Sequence, residues 1–513
     1  MKVLLLGRET TDALGSEPPP HAHDLACDLE LATLWRAMSG GDEFVLDVAR
    51  HALLTAASND LDTVHYRQDV LRDCLHHPDD VRELYGLAVT TLDRKRRGWL
   101  GVLSRAPSSV VYEAVSHLQM LLEMLVELRR IADRCASRFA SEGFTALFER
   151  IRRELDDAYL ERVRAQLTEL RFRRGTLLSA RLGDGNEGVD HVLRRDDGGR
   201  RGWRRWLAGW EAAANGFRLH PRDDAGARIL AGMVNEGLED VANVLAASAE
   251  HVQAFFVQLR SELAFYVGCL NLYATLAARG QPTCLPNASP AGTRDLRFTG
   301  LTNPCLALHT KAPVVGNTIE ADGRDLIVVT GANQGGKTVF LRSLGVAQMM
   351  MQSGMFVAAE AFQAEVCSGL FTHFRREEDG TMTHGKLDEE LARLSAMVDR
   401  LGPNVWLLCN ESFAATNQRE GSEIARQVVS ALLERRLRVA FVTHLTELAQ
   451  DLHVRRDPSA LFLRADRRPD DTRTFRLVVA PPLETGFGED VYREVFCEPA
   501  AAPPGTNLKE PAA

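Results

Sequence analysis

One octapeptide constrains this chain more than anything else in it: Gly331-Ala332-Asn333-Gln334-Gly335-Gly336-Lys337-Thr338, directly after the apolar run Leu326-Ile327-Val328-Val329. The pattern G-x-x-x-x-G-K-[ST] needs a strand to enter it and a helix to leave it. Its glycines fold the backbone into a nest of N–H groups, and the positive end of the next helix completes the nest. Val339-Phe340-Leu341-Arg342-Ser343-Leu344 reads as that helix. In an isolated glycine-bearing turn the same residues would carry no such meaning. The flanking order predicts a phosphate cradle, with Lys337 reaching the β- and γ-phosphates and the Thr338 hydroxyl taking one position on Mg²⁺.

A phosphate cradle needs a second half, found in such domains at the end of another buried strand. Val405-Trp406-Leu407-Leu408-Cys409, followed by Asn410-Glu411-Ser412, fits that place. Glu411 is the candidate to polarise an attacking water, the bland alternative being an acid at a helix entry. Asn410 stands where an aspartate is expected beside the metal. Its amide can still accept a hydrogen bond from metal-bound water, but it brings no charge, which predicts weaker Mg²⁺ binding or slower turnover. A third run, Arg438-Val439-Ala440-Phe441-Val442, ends in Thr443-His444. His444 at that strand end can sense a γ-phosphate by hydrogen bonding.

The rest of the chain divides by pattern. From about Asp28 to Gly280 it reads as helix after helix, with Val115, Leu118, Leu122, Leu125 and Leu128, then Val252, Phe255, Leu259, Leu263, Tyr266 and Leu270, at three- and four-residue steps. Between the tracts Val110 to Leu170 and Asp223 to Ala278, alternating residues around Gly183-Asp184-Gly185-Asn186 predict a small β-rich excursion near 172–200. Pro282, Pro286, Pro290 and Gly292 mark a linker over 281–298. Beyond it, strands alternate with helices over 299–498, the signature of a mostly parallel α/β sheet, with a late strand at Phe475 to Val479. Residues 1–27 form a short N-terminal segment, and the Ala- and Pro-rich tail from 499 to 513 reads as disordered.

Composition excludes several classes. At 513 residues the length prior allows roughly two to four domains. A formal net charge of −9 provides no whole-chain attraction to nucleic acid or anionic membrane, so DNA binding must rest on local basic patches. Nine cysteines without a C-x-x-C pair read as reduced thiols and neither a disulfide framework nor a zinc site. The tightest Cys/His group, Cys74-Leu75-His76-His77 beside Pro78, reads first as a helix end. The apolar stretch Met1 to Gly7 is too short for a signal peptide, and no run reaches the roughly 18–20 apolar residues of a membrane span. A cytoplasmic or nucleoid setting follows as the expectation.

Taken together, these residues resemble the MutS family, a branch of the ABC-type ATPases. Its loop G-P-N-x-G-G-K-S corresponds to Gly331 through Thr338, with Asn333 and the Gly335-Gly336 pair as distinguishing details. Its D-E-I-G-R-G-T-S-T-x-D-G-x-A-I-A block aligns without a gap to Asn410–Ala425, where Glu411, Thr416, Gly421, Ile424 and Ala425 match. Its A-T-H-x-x-E-L strand end is matched by Thr443, His444, Glu447 and Leu448, and its F-V-P-A-E segment by Phe356-Val357-Ala358-Ala359-Glu360. The signature S-x-F-x-x-E, which contacts the partner subunit's nucleotide, is echoed over Gly385 to Glu390, with only Glu390 kept and a backbone N–H at Gly385 available in place of the serine. Tyr66 to Leu71 is similar to the start of the family's lever region. About 25 residues precede the helices without the F-x-E wedge of mismatch sensors, so a mismatch-recognition domain is expected to be missing.

The resemblance implies ATP and Mg²⁺ as cofactors and a homodimer as the working form. Gly331, Asn333, Gly335, Gly336, Lys337 and Thr338 would bind the nucleotide. Thr338 and Asn410 would lie on the metal side, and Glu411, His444 and Lys337 would be catalytic. For DNA, the best local patch surrounds the excursion: Arg171, Arg173 and Arg174 before it, and Arg194, Arg195, Arg200, Arg201, Arg204 and Arg205 after it, interleaved with Trp203 and Trp206. Such residues contact phosphates and stack on bases without reading sequence. The plain alternative is a solvated arginine-rich loop beside Asp196 and Asp197. A second run, Arg94-Lys95-Arg96-Arg97-Gly98-Trp99, reads as a helix-end surface patch.

The fold expected is therefore multidomain, a mainly α-helical lever module followed by an α/β P-loop domain of ABC type. The function expected is a slow ATPase whose dimeric domains drive lever movement to bind or release DNA, with unidentified repair or recombination partners and no membrane. A nucleotide-gated scaffold with little hydrolysis is the alternative.

Overall fold

The computed structural model describes residues 1–9, 14–15, 17–98, 106–173, 175–195, 218–332, 334–376, 385–467 and 473–483. Trp99, Arg174, Arg200, Arg201, Trp203, Arg204, Arg205, Trp206, Asn333 and the tail lie outside them. From the N-terminus the helices run α1 (Ala22–Asp28), α2 (Leu31–Ser39), α3 (Glu43–Leu54), α4 (Leu61–His76), α5 (Pro78–Gly98), α6 (Pro107–Cys135), α7 (Glu142–Glu154) and α8 (Asp157–Glu169). The hairpin strands β1 (Leu178–Leu182) and β2 (Gly188–Leu193) follow, then the 55-residue α9 (Asp224–Ala278). The C-terminal part alternates: β3 (Asn287–Ser289), β4 (Leu296–Leu301), α10 (Pro304–His309), β5 (Asn317–Glu320), β6 (Leu326–Thr330), α11 (Lys337–Gln352), β7 (Ala361–Glu365) and β8 (Gly369–Phe374). It ends with α12 (Lys386–Val398), β9 (Val405–Asn410), α13 (Gln418–Glu434), β10 (Arg438–Val442), α14 (Thr446–Val454), β11 (Ala460–Arg467) and β12 (Arg473–Val479).

The chain falls into two compact units, one of Met1–Ala13 and Arg72–Val267, the other of Leu14–Leu71 and Gly268–Ala513. The first is helical. In α6, Val111, Val115, Leu118, Leu121, Leu122, Leu125 and Leu128 are buried as one stripe, the spacing that makes this stretch an amphipathic helix. Pro107 opens α6, while the side chains of Ser141 and Asp156 cap α7 and α8 by accepting from the Phe144 and Tyr159 N–H groups. The N-terminal segment is tied into this unit. Val3, Leu5 and Leu6 are buried, Glu262 on α9 accepts from the Leu5 and Leu6 N–H groups at 2.5 and 3.2 Å, and the Tyr266 hydroxyl donates to the Leu5 carbonyl.

In the second unit a six-stranded sheet runs in the order β12-β11-β6-β10-β9-β8, parallel except for β12. Its central strands β6, β9 and β10 are buried almost end to end, as strands covered on both faces must be. Residues of α12, α13 and α14, including Leu394, Val429 and Leu448, close one hydrophobic core with Leu326, Val328, Leu407 and Phe441. A second sheet, β3-β7-β4-β5, lies in the same unit.

Two expected boundaries are corrected. The stretch 281–298, expected as a linker, carries β3 and the start of β4, both paired to β7. Its prolines flank these short strands and are not inside them, where a missing N–H would break the ladder. Likewise α1 to α3, expected with the lever module or before it, belong to the second unit. There Leu29 packs so closely on α11 that a Cβ at Gly345 would meet it at 2.8 Å.

Candidate functional site

Three parallel neighbours, β6, β10 and β9, end at the same edge, with Val329 beside Val442 and Val442 beside Asn410. Open α/β sheets bind ligands outside the carboxyl ends of their strands. The loop after β6 turns back through Gly331, at φ +118°, and enters α11 through Gly336, at φ +88°. Both backbone angles belong to the left-handed side that glycine adopts without strain, and a Cβ at Gly331 would also press on Ala465 at 2.9 Å.

Lys337 opens α11 and is buried. Its ammonium donates to the Gly331 and Ala332 carbonyls at 2.7 and 3.0 Å, so it folds back into its own loop. Burial lowers its pKa from the ordinary lysine value, and the negative charge of Glu411 opposes that shift. Among the described residues no carboxylate forms an ion pair with it. A buried cation beside the unpaired N–H groups of a helix start is the donor set that an anionic phosphate fits.

Thr338 donates its hydroxyl to the Asn410 amide oxygen at 3.0 Å. These two neutral oxygens fit Mg²⁺ only as a minor part of its shell, the rest coming from phosphates and water. Among the described residues no group of three or more His, Cys, Asp or Glu is placed to hold a metal ion.

Glu411 leaves β9 with a left-handed backbone, φ +54°, fixed by its N–H donating to the Val442 carbonyl at 2.9 Å. One carboxylate oxygen lies 3.6 Å from His444 Nδ1 and the other 4.0 Å from Arg375 Nη1. Contact with His444 is the largest cause holding the Glu411 pKa below its ordinary value; burial opposes it, and Lys337 and Arg375 add to the lowering. Glu411 is therefore anionic at neutral pH, as a water-orienting base requires.

Gly335, Gly336, Lys337, Thr338 and Glu411 line one cleft of about 360 Å³ with Leu306, Val314, Val315, Phe340 and Phe475. The apolar members form a wall of the kind that takes a flat ring, while the loop takes charge. Phe475 and the 306–315 wall were not legible as site residues, because their nearness to the loop depends on where β12 and α10 fold back. Arg375 was missed too. The available signal was a basic residue directly after the short β-prone stretch Leu370-Phe371-Thr372-His373-Phe374.

Behind the site, His373 is fully buried. Its ring nitrogens lie 2.7 Å from Ser412 Oγ and 3.1 Å from the Glu390 carbonyl, and desolvation pushes its pKa down to about 4, with Arg393 adding to the lowering. Glu390 is itself buried and accepts from the Phe413 N–H at 3.0 Å, so its carboxylate serves the loop after β9 in its own chain. Gly385 is exposed at the N-cap of α12. Of the arginines proposed for DNA, Arg194 donates to Ser179 Oγ at 2.8 Å and Arg195 pairs with Glu169 at 3.1 Å, both exposed. Arg200, Arg201, Arg204 and Arg205 lie outside the described residues, as does Asn333 of the loop.

Comparison with known proteins finds two separate matched segments. Residues 59–279 match the MutS2 N-terminal domain and residues 327–497 match MutS domain V. Over 211 residues the chain is 30% identical to Endonuclease MutS2 of Thermus thermophilus, covering 39% of this chain and 27% of that protein. It is 26% identical over 253 residues to the DNA mismatch repair protein MutS of Chloroflexus aurantiacus, 45% of this chain and 26% of that one. It is 26% identical over 141 residues to MutS protein homolog 4 of Mus musculus, 28% of this chain and 15% of that one. The matches therefore span about a quarter or less of these relatives' lengths.

Proposed function

Since the chain belongs to the MutS family, we propose that it is an ATP-binding and slowly hydrolysing switch whose nucleotide state governs engagement of DNA. The observation that carries this reading is the convergence of Lys337, Thr338 and Glu411 on one cleft at the ends of neighbouring parallel strands, with His444 at the next strand end 3.6 Å from Glu411. The α/β unit acts as a P-loop ATPase domain. Lys337 leaves the Gly331 and Ala332 carbonyls for the β- and γ-phosphates, and the backbone N–H groups from Gly336 to Thr338 complete the cradle. Thr338 and Asn410 would hold Mg²⁺, which when bound supplies positive charge to the phosphate oxygens. Glu411 orients the attacking water, and His444 both holds Glu411 and senses the γ-phosphate.

The working form is a homodimer, in which Gly385 of one copy offers its N–H to the nucleotide of the other. Closure moves the helical module, a two-state element biased by the γ-phosphate. DNA is held through phosphate contacts around the β1–β2 hairpin, by Arg194, Arg195, Arg200, Arg201, Arg204 and Arg205. The relatives' names support a DNA-related output. Nuclease activity forms no part of the proposal, because the relatives named endonucleases are matched over a small share of their length.

One observation favours a second reading, a nucleotide-gated scaffold that recruits proteins and scarcely hydrolyses: the metal-side partner of Thr338 is the uncharged Asn410. Steady-state phosphate release separates the two. Wild type is expected to exceed Glu411→Gln by about a hundredfold or more, the range for loss of a positioned general base. Equal background rates in both, with ATP still bound, would establish the scaffold.

A further inference from the structure

Arg375 stands at the carboxyl end of β8, and its N–H donates to the Asn410 carbonyl at 3.0 Å, which fixes its backbone one residue from the base. Its guanidinium lies 4.0 Å from Glu411 Oε2, whereas His444 approaches the other carboxylate oxygen, and its side chain is 39% exposed. Neighbouring cations are committed elsewhere: Arg376 pairs with Asp24, and Arg393 donates to the Phe374 carbonyl at 2.8 Å. Arg375 thus approaches the Glu411 carboxylate from a neighbouring pocket that it lines with Glu390 and Arg393, beside the cleft, and among the described residues one long ion pair holds it. Exposed pairs of this kind contribute little, so the guanidinium can change partners at small cost.

Charge supplies the reason to change. A triphosphate brings up to four negative charges to a cleft whose metal-side residue is the amide Asn410, so more of the terminal phosphate's charge is left for protein cations. Guanidinium is suited to that task because its fork matches a phosphate's oxygens two at a time.

We propose that Arg375 binds the terminal phosphate of ATP held in its own chain, exchanging Glu411 for that phosphate, and so gives this site its preference for ATP over ADP. The exchange frees Glu411 to turn to water only when a γ-phosphate is present. This inference rests on the nucleotide-site reading above. No bond is made or broken, and the charge on Arg375 moves from one anion to another.

The test is equilibrium binding of a fluorescent ATP analogue and the matching ADP analogue to the full-length protein, with Mg²⁺ and with EDTA. Wild type, Arg375→Ala and Arg375→Lys are compared. The expected result is a loss of about tenfold or more in ATP-analogue affinity for Arg375→Ala, larger in EDTA, with ADP-analogue affinity unchanged and Arg375→Lys between the two. Unchanged ADP binding also reports an intact fold. Equal effects on the two analogues, or none on either, would overturn the role of Arg375 and leave the nucleotide site standing. A wild type that binds neither analogue would overturn the site and the inference together.

Discussion

Among single residues, His373 is a buried imidazole whose surroundings disfavour its charged form. Both of its ring nitrogens are engaged, by Ser412 and the Glu390 backbone, in a buried enclosure next to the turn that carries Glu411. Its pKa falls from 6.5 to about 4. Between those values the unfolded chain binds a proton that the folded chain refuses, so stability rises with pH across that window. The contribution is complete above about pH 6.5 and is lost as pH falls towards 4, with a magnitude of about 3 kcal/mol. Urea unfolding from pH 4 to 7 should show a shallower acid-side loss for His373→Gln than for wild type, and identical slopes would refute the assignment. The positions of Lys337, Glu411 and His444 just beyond the ends of β6, β9 and β10 were legible in the sequence because each sits at a fixed place in a local pattern. His373 and Arg375 were not, since their meaning arises only when β8 pairs with β9.

Elements carry the next layer. The alternation of apolar runs and helical periods over 299–498 was enough to foresee a mostly parallel sheet, because strands covered on both faces leave a run of Val, Ile and Leu. Strands as short as β3 leave no such trace, which is why their prolines read as a linker. The β1–β2 hairpin makes its own prediction. Leu178 packs onto α9 at Gly237, where a Cβ would come within 2.6 Å of its Cδ2, and His191 Nδ1 meets Glu236 Oε2 at 2.8 Å. Gly237→Trp should therefore lift the hairpin from the helix. If the hairpin positions the neighbouring arginines on DNA, the variant weakens DNA binding and lowers its salt slope by roughly one for each phosphate no longer neutralised, while ADP binding stays unchanged. Salt titration of DNA affinity checks this; an unchanged slope would show that the hairpin does not present arginines to DNA.

For the molecule as a whole, the division between units falls inside two helices, α4 and α9, between residues 71 and 72 and between 267 and 268. The cleft lined by Lys337, Thr338 and Glu411 belongs to the second unit and the β1–β2 hairpin to the first. A nucleotide-gated grip on DNA therefore requires a coupling free energy between two sites, and coupling is reciprocal: a nucleotide that tightens DNA binding must itself be held more tightly by DNA. Typical couplings change affinity by about 5- to 150-fold. The most direct test measures the dissociation constant of the full-length protein for duplex, mismatched, branched and single-stranded DNA without nucleotide, with ADP, and with ATP in the Glu411→Gln variant. Nucleotide gating predicts that at least one of these substrates shifts about fivefold or more between the ADP and ATP states. The same constant in all three states for every substrate would contradict it.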